Sequence, residues 1–400
     1  MKKLLALVLS SMMITAMFTG CASTSASSSS APAAGSEASA AAPAEKRTIK
    51  FGVLAPLTGT NAEYGKGFEV GMQMAVDKIN AAGGANGYKL ELVVKDSKGD
   101  QKESSDLARQ FADDEEILAI LGDFASGSCM ANAPIVDEAG LVQLSPTASN
   151  PDYAAMSDYC FSIMGRQDGE APFYAKYILN KYMGAKKLGV IYINSDWGKS
   201  CYDNFKKQAD IEGLEVVETV SYVQDEKDFS SLITKLKAAN PDTVCIMDQG
   251  AVPQIINQIK SSGWDVPITT LGPGTSQQLL DLCGANAEGL LLTSPFFFDP
   301  KDAAITAWKD EFVSKSGFEP TIHPACAYDC VNLLAEAIKA SGDGEVTRQT
   351  IRDNLAKVEM QGVTGPIKFN EAGDITRQYL ICGVENGKYV VKEGFDYSAK

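Results

Sequence analysis

The segment Trp197-Gly198-Lys199-Ser200 contains the Gly-Lys-Ser of a phosphate-cradling loop. Such a loop needs a second glycine five residues before Gly198, and Ile193 stands there, so nucleotide binding is not expected. The only histidine, His323, is spaced with Cys326 and Cys330 as on one helix face, a soft donor set suited to zinc. Pro324 spoils that helix at His323 and no fourth ligand is evident, so buried thiols are the favoured reading. Neither G-x-S-x-G nor H-E-x-x-H occurs, and one histidine leaves little material for a nucleophile–His–acid triad. The expectation is a protein that is not an enzyme and uses neither cofactor nor metal.

Other candidate groups lie in runs of small and hydroxylated residues. Gly122-Asp123-Phe124-Ala125-Ser126-Gly127-Ser128 and Ser145-Pro146-Thr147-Ala148-Ser149 both follow apolar segments. Backbone amides and hydroxyls at a helix start suit a carboxylate, and the same residue types also serve as plain helix caps. Asn194-Ser195-Asp196-Trp197-Gly198 offers Trp197 as an apolar wall, and Asp248-Gln249-Gly250 offers a carboxylate able to face an ammonium group. An exposed loop aromatic and an N-cap are the ordinary alternatives.

Alternating strands and helices must position these loops. Ile49, Phe51 and Val53 alternate as a strand, and Phe68, Met72, Ala75, Val76 and Ile79 follow at helical spacing. Strands over 90–94, 117–121 and 141–144 complete a first series. Strands over 188–193, 214–220, 243–247 and 266–271 form a second. Strand–helix alternation implies parallel sheets covered on both faces, hence an α/β chain of two Rossmann-like lobes. In open parallel sheets ligands bind beyond the carboxyl ends of strands, where all four loops fall. Helices over 325–340 and 346–358 and short strands near 367–369, 379–384 and 389–392 close the chain.

The first forty-six residues read differently. Lys2 and Lys3 precede an apolar run from Leu4 to Phe18, the length of a signal-peptide core and short for a membrane span. Phe18-Thr19-Gly20-Cys21 resembles the lipobox of bacterial lipoproteins, which implies cleavage before Cys21 and lipid on it. Ala22 to Ala44 is almost all Ala, Ser and Pro and reads as a tether spanning about 25–30 Å. The remaining eight of nine cysteines show no CxxC spacing, and small buried hydrophobes are their default reading.

Composition sets bounds on partners. A 400-residue chain with 45% hydrophobic and 22% charged residues supports two or three folded domains. A net charge of −15 argues against nucleic acid or an anionic membrane surface as partner.

Residues 47–400 resemble the extracytoplasmic substrate-binding proteins of ABC importers, in the branched-chain amino acid binding family with the type I periplasmic binding protein fold. The carrying segments are Ile49–Gly59 with Tyr64-Gly65, Ala75–Gly84, Gly122–Ser128, Ser145–Ser149, Lys227–Ser230, Gly289–Leu292 and Gly362–Ile367. The resemblance implies three crossovers, near 165, 295 and 364, and lobes that close on a ligand. It divides the chain into a signal peptide (1–20), a lipid-bearing tether (21–46), an N-terminal lobe (47–165 with 296–364) and a C-terminal lobe (166–295 with 365–400). It implies carboxylate and amine binding at Ser126, Gly127, Thr147, Ala148 and Ser149, with Tyr64 as aromatic lining and Trp197 where the family usually has Tyr, while Asp248 and Gln249 on the second lobe are read from their strand exit alone, the family's usual aromatic near 248 being absent. The implied partners are ABC permease subunits and, through lipid on Cys21, the bacterial cell membrane. One departure matters. The loop Gly272-Pro273-Gly274-Thr275 carries no acid where relatives often pair the ligand amine. Either Asp248 replaces that acid or the ligand lacks an α-amine. The expectation is a lipid-anchored receptor for an amino acid or similar small carboxylate, the alternative a ligand-sensing domain of the same fold for an amide or non-amino acid.

Overall fold

The computed structural model describes residues 46–392. Strands β1 (Lys46–Ala55), β2 (Tyr88–Asp96), β3 (Ile117–Leu121), β4 (Val142–Ser145) and β5 (Cys160–Ser162) form one sheet in the order β2-β1-β3-β4-β5. Every pairing in it is parallel. Helices α1 (Ala62–Ala81), α2 (Gln101–Asp113), α3 (Ser126–Glu138) and α4 (Pro151–Ala155) make the crossovers. The chain then enters α5 (Gln167–Phe173), which runs on as a wider π-helical stretch over Tyr174–Met183.

The second sheet contains β6 (Lys187–Ile193), β7 (Glu215–Tyr222), β8 (Thr243–Met247), β9 (Ile268–Thr270) and β10 (Leu291–Ser294), all parallel where they pair. Its crossovers are α6 (Asp196–Ile211), α7 (Ser230–Ala238), α8 (Val252–Ser261) and α9 (Gln277–Cys283). The chain continues through α10 (Ala303–Ser316), α11 (Ile322–Lys339) and α12 (Arg348–Leu355). A hairpin of β11 (Glu359–Gly362) and β12 (Gly365–Lys368) follows. Strands β13 (Leu380–Glu385) and β14 (Lys388–Val391) then return antiparallel to the edge of the second sheet, giving the order β14-β13-β10-β9-β8-β6-β7.

Each sheet is covered on both faces, which explains why strands such as β3, Ile-Leu-Ala-Ile-Leu, are apolar without alternation. On one face of the first sheet Phe51, Val53 and Leu121 pack against α1 and α11. On the other, Leu54 and Ile120 pack against Phe111, Ala133 and Tyr153. The second sheet places Ile246 and Leu292 against Ile255 and Ile259, and Val190 and Met247 against Tyr174, Trp197 and Phe205. Helix α11 lies directly on α1. A side chain at Gly71 would collide with the Pro324 carbonyl oxygen, so glycine there permits the approach.

The packing also places the last passage between lobes. Ile367, Phe369 and Ile375 belong to the first core, whereas Ile381 and Cys382 belong to the second. On packing, that passage falls between Ile375 and Leu380, later than the expected position near 364. The eight described cysteines are all buried with free thiols, Cys326 and Cys330 among the α11 side chains of the first core. Among the described residues no group of three His, Cys, Asp or Glu side chains is arranged to hold a metal ion. Cys21 and the signal and tether readings lie outside the described residues.

Candidate functional site

The carboxyl ends of the two sheets face a common cavity of about 60 Å³. From the first sheet it is lined by Thr60 and Asn61 after β1, by Gly99 and Gln101 after β2, and by Ala125, Gly127 and Ser128 after β3. The second sheet contributes Ser195 and Trp197 after β6, Gln224 to Lys227 after β7, Asp248 to Ala251 after β8, and Gln254 of α8, with Tyr222 at the end of β7. Of the nine binding residues expected from the sequence, Gly127, Trp197, Asp248 and Gln249 line this space, and the other five stand behind it.

Those five build the wall. Ser126 opens α3, and its Oγ accepts from the backbone N–H of Ser149 and of Asn150, each at 3.2 Å. Thr147 Oγ1 donates to the Phe124 carbonyl at 2.8 Å, and the Ala148 N–H donates to Ser145 Oγ at 2.8 Å. The β3 and β4 exit loops are thereby fastened together, which aims the start of α3 into the cavity. Ser149 Oγ accepts from Trp197 Nε1 at 3.0 Å, and Gln167 Nε2 donates to the Trp197 carbonyl at 2.8 Å. Trp197 is thus a buried, fixed wall. Tyr64 stacks on Phe124 with ring centroids 4.5 Å apart, and its hydroxyl donates to the Gln249 carbonyl at 2.7 Å.

Several of these bonds join the two sheets' loops directly. Besides Tyr64–Gln249 and Trp197–Ser149, Thr60 Oγ1 donates to Asp225 Oδ1 at 3.1 Å and Gln101 Nε2 to Asp196 Oδ2 at 3.2 Å. Glu63 of α1 accepts from the N–H groups of Gln277 (2.8 Å) and Gln278 (3.1 Å) at the start of α9. The structure is a closed form.

The cavity lining mixes polar and apolar surface, and part of its polar surface is unsatisfied. Ser128 Oγ, Tyr222 Oη, Asn61 Oδ1 and Gln254 Oε1 are buried with no hydrogen-bond partner. Asp248 accepts from the N–H of Ala251, which itself stands at the N-cap of α8 without a side-chain cap, while also lining the cavity. Burial pushes its carboxyl above the usual range, against backbone N–H groups that oppose the shift. Burial likewise raises the Tyr222 phenol, with the Asp248 charge and hydrogen bonding toward Asp248 adding to it. Near the acid-free loop stands a different acid. Glu170 of α5 accepts from the Gly272 N–H at 3.1 Å and from Thr293 Oγ1 at 2.5 Å. It is buried behind the lining and pins that loop.

Asn61, Gln101, Tyr222 and Gln254 are not among the residues expected from the sequence, and Ser128 stands there only as the last residue of the Gly122–Ser128 run. The expectations for the second series rest on the exits of its first, third and fourth strands. The exit of its second strand, Tyr222-Val223-Gln224-Asp225, carried the missing signal.

Two parallel sheets whose strand ends meet across an enclosed cavity define a bilobal ligand-binding protein. A model of the periplasmic binding protein family matches residues 48–388. Leu/Ile/Val-binding protein homolog 1 of Brucella suis is 30% identical over 330 residues, 82% of this chain and 87% of that protein. The leucine-, isoleucine-, valine-, threonine- and alanine-binding protein of Pseudomonas aeruginosa is 29% identical over 339 residues, with 82% of this chain and 87% of that one covered. Among solved structures, the branched-chain amino acid transporter substrate-binding protein of Streptococcus pneumoniae in complex with isoleucine has a TM-score of 0.79 at 28% identity, over 86% of this chain and 98% of that one. A Rhodopseudomonas palustris solute-binding protein in complex with benzoate has a TM-score of 0.80 at 20% identity over 86% and 95%, a likeness of fold alone. The chain belongs to the periplasmic binding protein family. It is an extracytoplasmic substrate-binding receptor of the branched-chain amino acid ABC-transporter type.

Proposed function

We propose that this receptor binds an α-amino acid between its lobes, delivers it to ABC permease subunits without chemical turnover, and is held at the membrane by lipid on Cys21. The carrying observation is the cavity between the strand ends, with the first turn of α3 on one side and Asp248 on the other. The opening N–H groups of α3, with Ser128 Oγ beside them, suit the ligand carboxylate. Asp248 suits the α-ammonium, whose positive charge would restore the ionised carboxylate against burial. Ser126, Thr147, Ala148 and Ser149 hold this wall in register, and Tyr64, Trp197 and Gln249 hold the lobes closed. The lobes are joined by passages near 165 and 295 and between Ile375 and Leu380, and they open and close as hinged bodies.

Isothermal titration calorimetry of the mature protein against the twenty amino acids is the test. Saturable binding of at least one, abolished when its α-amine is acetylated, is expected. Absence of binding at millimolar ligand overturns the reading. The acid-free loop Gly272–Thr275 favours a second reading, a carboxylate without an amine. Des-amino analogues in the same titration decide it.

A further inference from the structure

Resting on that reading, we infer that the ligand's side chain ends in a carboxamide, and that Asn61, Tyr222 and Gln254 are the groups that recognise it. Buried polar atoms are almost always paired, so unpaired ones converging on a cavity mark where a ligand supplies the partners. Four such atoms line this one cavity. Ser128, fully buried at the start of α3, belongs with the ligand carboxylate. Three remain after Asp248 takes the ammonium.

Their chemistry is specific. Asn61 Oδ1 and Gln254 Oε1 are acceptors that call for N–H donors. Tyr222, only 7% exposed, keeps its proton, which it can give either to the neighbouring Asp248 or to a ligand carbonyl. A carboxamide carries two N–H donors and one carbonyl acceptor on a single plane, and so satisfies all three. Asn61 Oδ1 lies against Gly250, where an added Cβ would come within 2.7 Å of it, so glycine there leaves room for the Asn61 amide. A branched aliphatic side chain would leave Asn61 Oδ1 and Gln254 Oε1 unpaired. The apolar side chains of the lining are few: Ala125, Ile193, Trp197 and Ala251. A cationic side chain is disfavoured because the lining's other acids are already engaged at the exposed rim. Asp225 accepts from Thr60, and Glu226 accepts from two backbone N–H groups beside Lys227.

Asparagine and leucine have nearly the same shape, so their affinity ratio isolates the amide. A site built to hydrogen-bond a polar group rejects the analogue lacking it by large factors, so asparagine or glutamine should bind at least about tenfold more tightly than leucine, isoleucine or valine. The Asn61→Leu and Gln254→Leu variants, each checked for unchanged circular dichroism, should narrow the asparagine-to-leucine ratio by about fivefold or more. Leucine binding as well as asparagine, lysine or arginine binding best, or a ratio untouched by both variants overturns the inference while leaving an amino acid receptor in place. If no amino acid binds at all, the inference falls together with the reading beneath it.

Discussion

His323 shows how far a side chain's role depends on what surrounds it. In the sequence it was the one imidazole available for metal or acid–base work. In the fold it is fully buried, its Nδ1 is 2.9 Å from Thr321 Oγ1, and its ring packs 4.7 Å from Tyr64 and 5.9 Å from Phe124. It therefore supports the tyrosine that reaches Gln249. Burial lowers its pKa to about 3, so it stays neutral in the native protein. The unfolded chain protonates this group near pH 6.5, so between there and about pH 3 the unfolded state holds the extra proton. Its contribution is thus fully present above pH 6.5 and is lost as pH falls, by about 2 kcal/mol at pH 5. Urea unfolding at pH 7 and pH 5 measures this. A His323→Phe variant should lose about 2 kcal/mol less than the parent between the two pH values. Equal losses would mean that the imidazole ionises inside the fold. The imidazole proton resonance of this single histidine should also stay put from pH 7 down to pH 5.

At the scale of elements, closure depends on which helix starts meet which carboxylates. Glu63, in the first turn of α1, accepts from two N–H groups at the start of α9 across the lobes. Burial raises its pKa, and those N–H bonds oppose the rise. The contact exists only when the lobes are closed, so its loss should act on ligand affinity rather than on the stability of either lobe. For a half-buried carboxylate bonded to two backbone N–H groups, about 1 kcal/mol corresponds to roughly a fivefold loss. Glu63→Ala should raise the dissociation constant about fivefold, mostly through faster release, with the ligand-free melting temperature unchanged. A variant that melts earlier without ligand but binds normally would make Glu63 a lobe-stabilising residue instead. The longer elements were legible because apolar periodicity needs several turns or strand repeats to register. Strand β5 has three residues and β10 has four, and neither is expected from the sequence, although β4 and β9 of the same lengths are, being set within the stretches over 141–144 and 266–271. Helix α10 is not expected either, its buried face reducing to Trp308 and Phe312.

At the scale of the whole molecule, the alternation of strands and helices was enough to read two parallel sheets and the cavity at their ends, because each crossover is local in sequence. Contacts that bring the lobes together were not legible. Tyr64 and Gln249 are 185 positions apart, and no local pattern pairs them. Charge distribution carries the remaining expectation, which concerns how the receptor stays at its membrane. Among the described residues no helix is long and apolar enough to cross one. Three lysines against two glutamates in residues 1–46 leave −16 on everything after the tether. Stable peripheral attachment takes two acyl chains, or one chain with a basic patch, and a net charge of −16 does not favour the second route. If lipid on Cys21 is the anchor, as proposed, attachment should be all-or-none and insensitive to salt. Cys21→Ser, expressed with its signal sequence, should move the protein fully from the membrane pellet to the soluble fraction at both low and high ionic strength, with ligand affinity intact. Retention of the variant in the pellet, or release of the parent by salt, would put the anchor elsewhere in the chain.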